Sequence, residues 1–314
     1  MAFVPKTQAY NASINAVTLG TGDKAITIGG ENTLPFYTFD APMANRPAIG
    51  VEIPDVGVEG LRSEGSKAFF EGCTTAADMA KKAESMEGAD FICLNMESSD
   101  PNGADMAIED AVAIAKAVSE ATTMPIVVMG CKNAEKDGTL LGAVSDAMQG
   151  KNILAMSATE ENYKGVGASV GLAYNQKVGA ESAVDINLAK QLNVMLSQLG
   201  VAASSVVMNA GSAAAGYGYE YVASTLDRVK LAAMAQSDNM LQMPIITPVS
   251  TEAAGVKESI MPEADMPEWG NIEERRVEME ITTATASIMS GSNAVIMSHP
   301  EAIKTMAAFV DALM

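Results

Sequence analysis

The sequence has little of what metal centres and nucleic-acid interfaces need. It contains one histidine, three cysteines and only 5% aromatic residues, and its 20 basic residues face 39 acidic ones, for a formal net charge of −19. A phosphate-backbone partner requires clustered Lys and Arg, so this charge argues against nucleic acid as a partner. No run of about 18 apolar residues occurs, so we expect no membrane-spanning helix.

The few histidine and cysteine residues also limit cofactor chemistry. Cys73, Cys93 and Cys131 are far apart in the sequence, and an iron–sulfur cluster usually needs four cysteines. The single histidine, His299, excludes a histidine-based metal cage. Met1–Ile14 lacks the layout of a signal peptide, and an odd number of cysteines favours reduced thiols. We therefore predict a cytoplasmic chain that holds no metal itself.

Short apolar runs, each leading into a helical segment, dominate the rest of the chain. The runs do not alternate apolar with polar residues, which is typical of parallel strands buried on both faces. Eight such units predict an α/β fold, a TIM (β/α)8 barrel, whose functional groups lie on loops after the strands. The eight runs are Ala48–Ile53, Asp90–Asn95, Pro125–Met129, Asn152–Met156, Lys177–Ala180, Ser204–Met208, Pro244–Thr247 and Asn293–Met297.

Two β-runs precede the barrel. Ala16–Leu19 and Lys24–Ile28 are joined through glycines and an aspartate that suit a hairpin turn, so we predict an N-terminal extension over residues 1–46 and a barrel over 47–314. The simplest place for this hairpin is the base of the barrel. The turn also fits a dinucleotide-binding glycine pattern, but strand rather than helix follows it, which favours the hairpin.

Other segments of the barrel give weaker signals. Lys177–Ser182 is polar enough to be a loop, and Ser250–Asn271, with two prolines, is predicted to be an extended loop. The stretch Gly167–Gly171 matches a nucleophile elbow, but the barrel places its Ser169 in a helix. Pro300 is well placed as a first helical residue, so His299 is expected to cap the last helix.

Amides and hydroxyls follow several of the predicted strands. Because the carboxyl ends of barrel strands share one face, these groups should line one mouth with few titratable groups, which suits hydrogen bonding to a large polar ligand better than acid–base catalysis. Glu97, Thr247 and Ser250 belong to the same face. We predict no catalytic residues, and the polar groups after strands two, three, four and six include Asn95, Lys132, Asn133, Ser157, Thr159 and Asn209.

Several of these segments together resemble one known family. The chain is similar over essentially its whole length to the small (delta) subunit of the corrinoid/iron–sulfur protein of the CO dehydrogenase/acetyl-CoA synthase system. The stretches that carry the resemblance are Gly29–Asp40, Pro125–Leu141, Asn152–Lys164, Asp185–Met195, Gly216–Tyr221 and the C-terminal MSHPEAIKTM.

The resemblance implies a TIM-barrel subunit paired with a large subunit that carries a [4Fe–4S] cluster and a corrinoid-binding domain. The cobamide would lie at the interface, covered by the mouth of the barrel. The cofactor contacts expected for it are Asn95, Lys132, Asn133, Ser157, Thr159, Asn209 and Gly211. The pair would take a methyl group from methyltetrahydrofolate through a separate methyltransferase and deliver it to acetyl-CoA synthase, in the Wood–Ljungdahl pathway. His299 lacks the D-x-H-x-x-G surroundings of a corrinoid ligand, so this chain would not ligate cobalt by that route. The resemblance implies a non-catalytic subunit of a methyl carrier.

Two other functions fit the same sequence. A stand-alone pterin-dependent methyltransferase of dihydropteroate-synthase-like fold could use Asn95 and Asn209, although its supporting aspartates are hard to place. A scaffold subunit that touches no cofactor is the second alternative. Methyl transfer by this chain alone would favour the first alternative. The second would be favoured if the large subunit bound corrinoid with the same affinity in the presence and absence of this chain.

Overall fold

Eight parallel strands form a nearly closed barrel in the computed structural model, which describes residue 4 and residues 6–314. Residues 1–3 and 5 of the predicted N-terminal extension lie outside the described residues. The barrel strands are β3 (Ala48–Pro54), β4 (Phe91–Asn95), β5 (Ile126–Met129), β6 (Leu154–Ala158), β7 (Lys177–Glu181), β8 (Val206–Asn209), β9 (Ile246–Pro248) and β10 (Ala294–Met297). The predicted TIM barrel is confirmed.

The strands pair in the order β8-β7-β6-β5-β4-β3-β10-β9. A parallel bridge between Met208 and Ile245 joins the two ends of this order, and the Met208 amide donates to the Pro244 carbonyl at 2.8 Å. This contact closes the ring, so the sheet leaves no long free edge.

Helices surround the strands. Within the described residues they are α1 (Glu64–Phe69), α2 (Ala76–Ala83), α3 (Ile108–Ala121), α4 (Ala134–Ala147), α5 (Tyr163–Val166), α6 (Ile186–Leu199), α7 (Tyr219–Ala235), α8 (Val249–Gly255), α9 (Lys257–Ile260), α10 (Ile272–Ser290) and α11 (Pro300–Leu313). A π-helical turn, Gly167–Ala173, follows α5 and contains Ser169, as the barrel predicted. No described helix has the length and apolarity to cross a bilayer.

Strand side chains alternate between the barrel interior and the helical shell. In β3, Ile49 and Val51 join the large cluster under the helices, while Ala48 joins the interior cluster with Phe91. A side chain at Gly50 would meet the Phe91 ring at 2.1 Å, so glycine is required there for the ring to fill the interior. The same period of two turns Glu52 toward the interior at the upper end of β3.

The predicted hairpin closes the base of the barrel. Its strands are β1 (Val17–Leu19) and β2 (Ile26–Ile28), paired antiparallel, and their Val17, Leu19 and Ile28 side chains belong to the interior cluster. Asn152, at the lower end of β6, donates from its amide to the Thr18 and Gly20 carbonyls at 2.9 and 3.0 Å. The opposite face, the mouth at the carboxyl ends of the strands, has no such plug among the described residues.

Two segments that the sequence marked as possible loops form regular structure. Lys177–Ser182 was open to a loop assignment, but most of it forms β7. The extended loop predicted over Ser250–Asn271 is wrong in part, since α8 and α9 occupy its first half. Ala253 and Ser259 of this segment are buried against α10, and that packing orders backbone which local sequence does not.

Candidate functional site

Five of the seven predicted cofactor contacts line one small cavity in the mouth. This small cavity has a volume of about 140 Å³ and lies at the upper ends of β5, β6 and β8. Ser157 and Asn209 form its floor as buried strand-end residues, and Lys132 is exposed at its rim. The predicted residues that line it are Lys132, Ser157, Thr159, Asn209 and Gly211.

The other two predicted contacts are engaged elsewhere. Asn133 caps α4, where its side-chain oxygen accepts a hydrogen bond from the Lys136 amide at 3.0 Å. Asn95 is buried and donates from its amide nitrogen to Glu52 Oε1 at 2.9 Å. Both side chains therefore have structural partners, and Asn95 contributes to the mouth through Glu52.

Backbone geometry explains two members of the small cavity. Gly211 has a φ of +94°, and a side chain there would meet Val184 at 2.6 Å, so glycine is required by the packing of the chain itself. Lys132 also has a positive φ, +65°, which bends the chain sharply after β5. The Asn209 side-chain oxygen accepts from the Gly211 amide at 3.2 Å and fixes the turn after β8.

The expectation of few titratable groups at the mouth is wrong. Asp137, Glu181 and Glu252 also line the small cavity. Burial raises the pKa of Asp137, and the nearby Glu181 adds to this shift. Asp137 Oδ1 accepts hydrogen bonds from the Cys131 amide at 2.8 Å and its thiol at 3.2 Å, so this carboxyl organises the loop after β5.

A second, larger cavity lies on the other side of α8. This large cavity has a volume of about 340 Å³ and is bounded by β3, α8, α9, α10 and the β10–α11 connection. Ser250, one of its lining residues, belongs to the face that the sequence predicted for the mouth. It is lined by Glu52, Pro54, Gly60, Leu61, Arg62, Ser63, Ser66, Ser250, Ala253, Ala254, Ser259, Ile260, Arg276, Glu280, Ser298 and His299.

Glu280 is the most deeply buried carboxyl of the large cavity. It accepts hydrogen bonds from the Ser298 amide at 2.6 Å, the Ser298 hydroxyl at 2.9 Å and the His299 amide at 2.9 Å. Burial raises its pKa to about 7, which these hydrogen bonds oppose and the nearby Glu52 increases. Glu52 itself accepts from Asn95 and from the Ser250 hydroxyl.

His299 has the capping role that its sequence position predicted. Its Nδ1 accepts from the Glu301 amide at 3.1 Å, so the ring hydrogen of the neutral form lies on Nε2, which is 3.1 Å from Glu273 Oε1. Both ring nitrogens are therefore occupied within the protein. Among the residues that the structure describes, no group of three potential metal-ligating His, Cys, Asp or Glu side chains comes together.

Two carboxylates of the large cavity, Glu52 and Glu280, were not predicted, and the sequence marks them unequally clearly as buried residues. Glu52 could have been found, because alternation along β3 puts it on the same face as Ala48 and Gly50. Glu280 shares a buried helical stripe with Thr283, Ala284 and Ser287, which marks it as unusual without revealing its neighbours. Only the packing of α10 against β10 shows what Glu280 contacts.

Comparison with known protein families gives a match over nearly the whole chain. A family described as the CO dehydrogenase/acetyl-CoA synthase delta subunit matches residues 16–306. The acetyl-CoA decarbonylase/synthase complex subunit delta of Archaeoglobus fulgidus is 30% identical over 317 residues, covering 97% of this chain and 69% of the relative. Subunit delta 1 of Methanosarcina thermophila is 30% identical and covers 91% of this chain and 66% of the relative. The chain thus spans about two thirds of the length of these relatives.

Comparison with solved structures identifies the same barrel in another group. The 7,8-dihydropteroate synthase of Vibrio fischeri superposes with a TM-score of 0.59 at 13% identity, covering 95% of this chain and 98% of that one. The dihydropteroate synthase of Xanthomonas albilineans with 4-aminobenzoic acid gives 0.58 at 12% identity, with the same coverage. At such identities the likeness shows the fold alone.

Proposed function

The chain belongs to the CO dehydrogenase/acetyl-CoA synthase delta-subunit family, and from that premise we propose that it is the small subunit of a heterodimeric corrinoid/iron–sulfur methyl carrier. The large subunit would carry the [4Fe–4S] cluster and the corrinoid-binding domain. The pair would accept a methyl group from methyltetrahydrofolate through a methyltransferase and pass it to acetyl-CoA synthase. The family match over residues 16–306 carries this proposal.

The geometry of the barrel supports an orientation with the mouth toward the large subunit. The hairpin side chains fill the barrel interior at the base, where one cavity of about 150 Å³ lies beside the hairpin turn. The mouth has two cavities lined by hydrogen-bonding groups, including one of about 340 Å³. A corrin ring has amide side chains at its rim, and amides and hydroxyls can donate to such groups and accept from them. Lys132, Ser157, Thr159, Asn209 and Gly211 are the residues of this chain that would contact it.

The residues present fit a covering role rather than cobalt ligation. Both nitrogens of His299 are engaged, by Glu301 and by Glu273, and that histidine is the only one in the sequence. The bound cobamide would supply the methyl-carrying cobalt, and this chain would hold the corrin edge and exclude water from one face. Because the same cofactor must meet two other proteins, the subunits also need to separate or hinge.

A matched pair of charge reversals tests the orientation. We expect Lys132→Glu, at the mouth, to weaken assembly with the large subunit or its corrinoid retention, because it reverses the charge of one of the proposed contacts. Lys24→Glu, an equally exposed change in the hairpin turn at the base, should leave both unchanged. Co-purification of the two subunits and the corrinoid absorption spectrum measure the two effects. A loss caused by Lys24→Glu but not by Lys132→Glu would contradict the proposal.

A double substitution tests the predicted contacts more directly. One net hydrogen bond contributes about 0.5–1.5 kcal/mol, so Asn209→Ala should weaken corrinoid retention roughly threefold to tenfold. Combining it with Ser157→Ala, at a second residue of the small cavity, should give a clear loss. If the double variant assembles, retains corrinoid and supports methyl transfer as the unaltered chain does, the proposed contacts are wrong. Methyl transfer from methyltetrahydrofolate by the isolated chain would instead indicate a stand-alone methyltransferase.

A further inference from the structure

Two glutamates, Glu52 and Glu280, line the large cavity. Among the residues that the structure describes, neither Glu52 nor Glu280 forms an ion pair. Glu52 receives only neutral donors, from Asn95 and Ser250. The donors to Glu280 are likewise neutral, an amide and a hydroxyl of Ser298 and the His299 amide.

The basic side chains of this cavity are already paired with other acids. Arg276 contacts Glu273 at 3.2 Å and also donates to the Ser259 carbonyl at 2.9 Å. Arg62 contacts Glu97 at 3.3 Å on the exposed rim. The His299 ring uses one nitrogen to cap α11 and the other on Glu273. These basic side chains therefore pair with Glu97 and Glu273 rather than with Glu52 or Glu280.

Burying these two carboxylates costs free energy unless a cation pairs with them. A buried carboxylate without a cation loses hydration that neutral hydrogen bonds only partly replace. The pKa of Glu280, which burial raises to about 7, reflects this cost. Perturbed carboxyls that face a cleft are found preferentially at functional sites, although ion-pair networks inside proteins also produce them. No ion-pair network reaches Glu280 in the described part of the chain.

The rest of the lining restricts what could enter. The cavity volume of about 340 Å³ lies at the lower end of the range for small-molecule sites, which is roughly 300–1,000 Å³. Pro54, Leu61, Ala253 and Ile260 give it an apolar wall that suits a ring. Carboxylates accept parallel hydrogen bonds from planar nitrogen cations. We propose that the large cavity binds a small, planar organic cation with N–H donors, of the amidinium or guanidinium class, through Glu52 and Glu280.

Three isosteric probes test this on the isolated full chain, so the result does not depend on the corrinoid role. Benzamidine is a planar cation, benzamide is its neutral counterpart, and benzoate has the opposite charge. Isothermal calorimetry should show saturable benzamidine binding at least about tenfold tighter than benzamide binding, because a charged hydrogen bond is stronger than a neutral one. Benzoate should not bind.

Matched variants locate the site. Glu52→Gln should weaken benzamidine binding at least about tenfold, since it removes charge at the cavity wall. Glu181→Gln removes the same charge from the small cavity and should leave the affinity within about twofold. Ala254→Leu, which fills the large cavity without changing charge, should also weaken binding and checks the result if Glu52→Gln unfolds the chain. The proposal is overturned if benzamide binds as well as benzamidine, if Glu52→Gln and Glu181→Gln weaken binding equally, or if no probe binds at millimolar concentration.

Discussion

Two buried glutamates, at opposite ends of the barrel, have opposite surroundings. At the base, Glu31 is 4% exposed and contacts Lys230 Nζ at 2.5 Å, and Asn293 also donates to it at 2.8 Å. Burial alone would raise the pKa of Glu31, but the Lys230 charge and these hydrogen bonds outweigh burial and lower the pKa. At the mouth, Glu280 is 3% exposed and has no cationic partner among the described residues.

The difference separates a base whose buried charges are paired from a mouth whose buried carboxyls lack a cation among the described residues. Lys230 and Glu31 join α7 to the N-terminal segment next to the hairpin, and Asn293 joins both to the start of β10. All charge in that cluster is internally balanced. The mouth keeps unbalanced carboxyls, buried hydroxyls and two cavities. The base therefore holds a neutralised ion pair, whereas the unpaired carboxyls lie at the mouth, where the proposed ligand would bind.

Breaking the ion pair at the base should have the largest effect. We expect Lys230→Met to lower the free energy of unfolding by about 3–5 kcal/mol, because Glu31 stays buried without its cation. The stabilisation from Glu31 is present above its unfolded pKa and is lost as the pH falls through its lowered folded pKa, so this loss should shrink in acid. Urea denaturation measures both effects.

An exposed ion pair provides the control for Lys230. Lys190 contacts Asp238 at 2.6 Å, but its side chain is 51% exposed. Lys190→Met should therefore cost no more than about 1 kcal/mol. Equal losses for Lys190→Met and Lys230→Met would show that burial does not set the strength of the base cluster.

Glu280 should make the free energy of unfolding fall as the pH rises, opposite to the effect of Glu31. Its folded pKa of about 7 lies above the ordinary value of 4.5, so the folded chain binds this proton more tightly than the unfolded chain. The free energy of unfolding should then fall by up to about 3 kcal/mol as the pH rises through this interval. Glu280→Gln should flatten that part of the profile, while Glu278→Gln, at an exposed position of the same helix, should not. Parallel profiles for all three proteins would remove the distinction between mouth and base.

The hairpin contact at the base should have the smallest of these effects. Asn152→Ala removes two hydrogen bonds to the hairpin carbonyls, and we expect a loss of about 1–2 kcal/mol in unfolding free energy. Asn187→Ala, at an exposed position of α6, should change it by less than about 0.5 kcal/mol. Because the hairpin lies away from the mouth, Asn152→Ala should leave benzamidine binding unchanged; a changed affinity would mean that the two ends are coupled.

Much of the fold could be predicted because its signals are local. Asp185 caps α6 with its side chain, and Gly200 ends that helix with a φ of +110°, so both helix ends rest on residue types that favour those positions. The hairpin was predictable for the same reason, since its turn needs glycine. The segment after β9 was not, because α8 and α9 depend on burial against α10 rather than on propensity or caps.

The same distinction between local sequence signals and tertiary packing applies to the candidate site. Residue order and strand periodicity by themselves determined the barrel, the plugged base and the face on which Asn209, Ser157 and Lys132 meet, because every parallel strand ends at the same side. Only the tertiary structure decided that Asn95 donates to Glu52, that Ser298 donates to Glu280, and that neither carboxyl pairs with a cation in the described part of the chain. Charge balance depends on which side chains approach within a few ångströms across long sequence separations. Those approaches are set by the packing of α10 against the barrel, which no local pattern encodes.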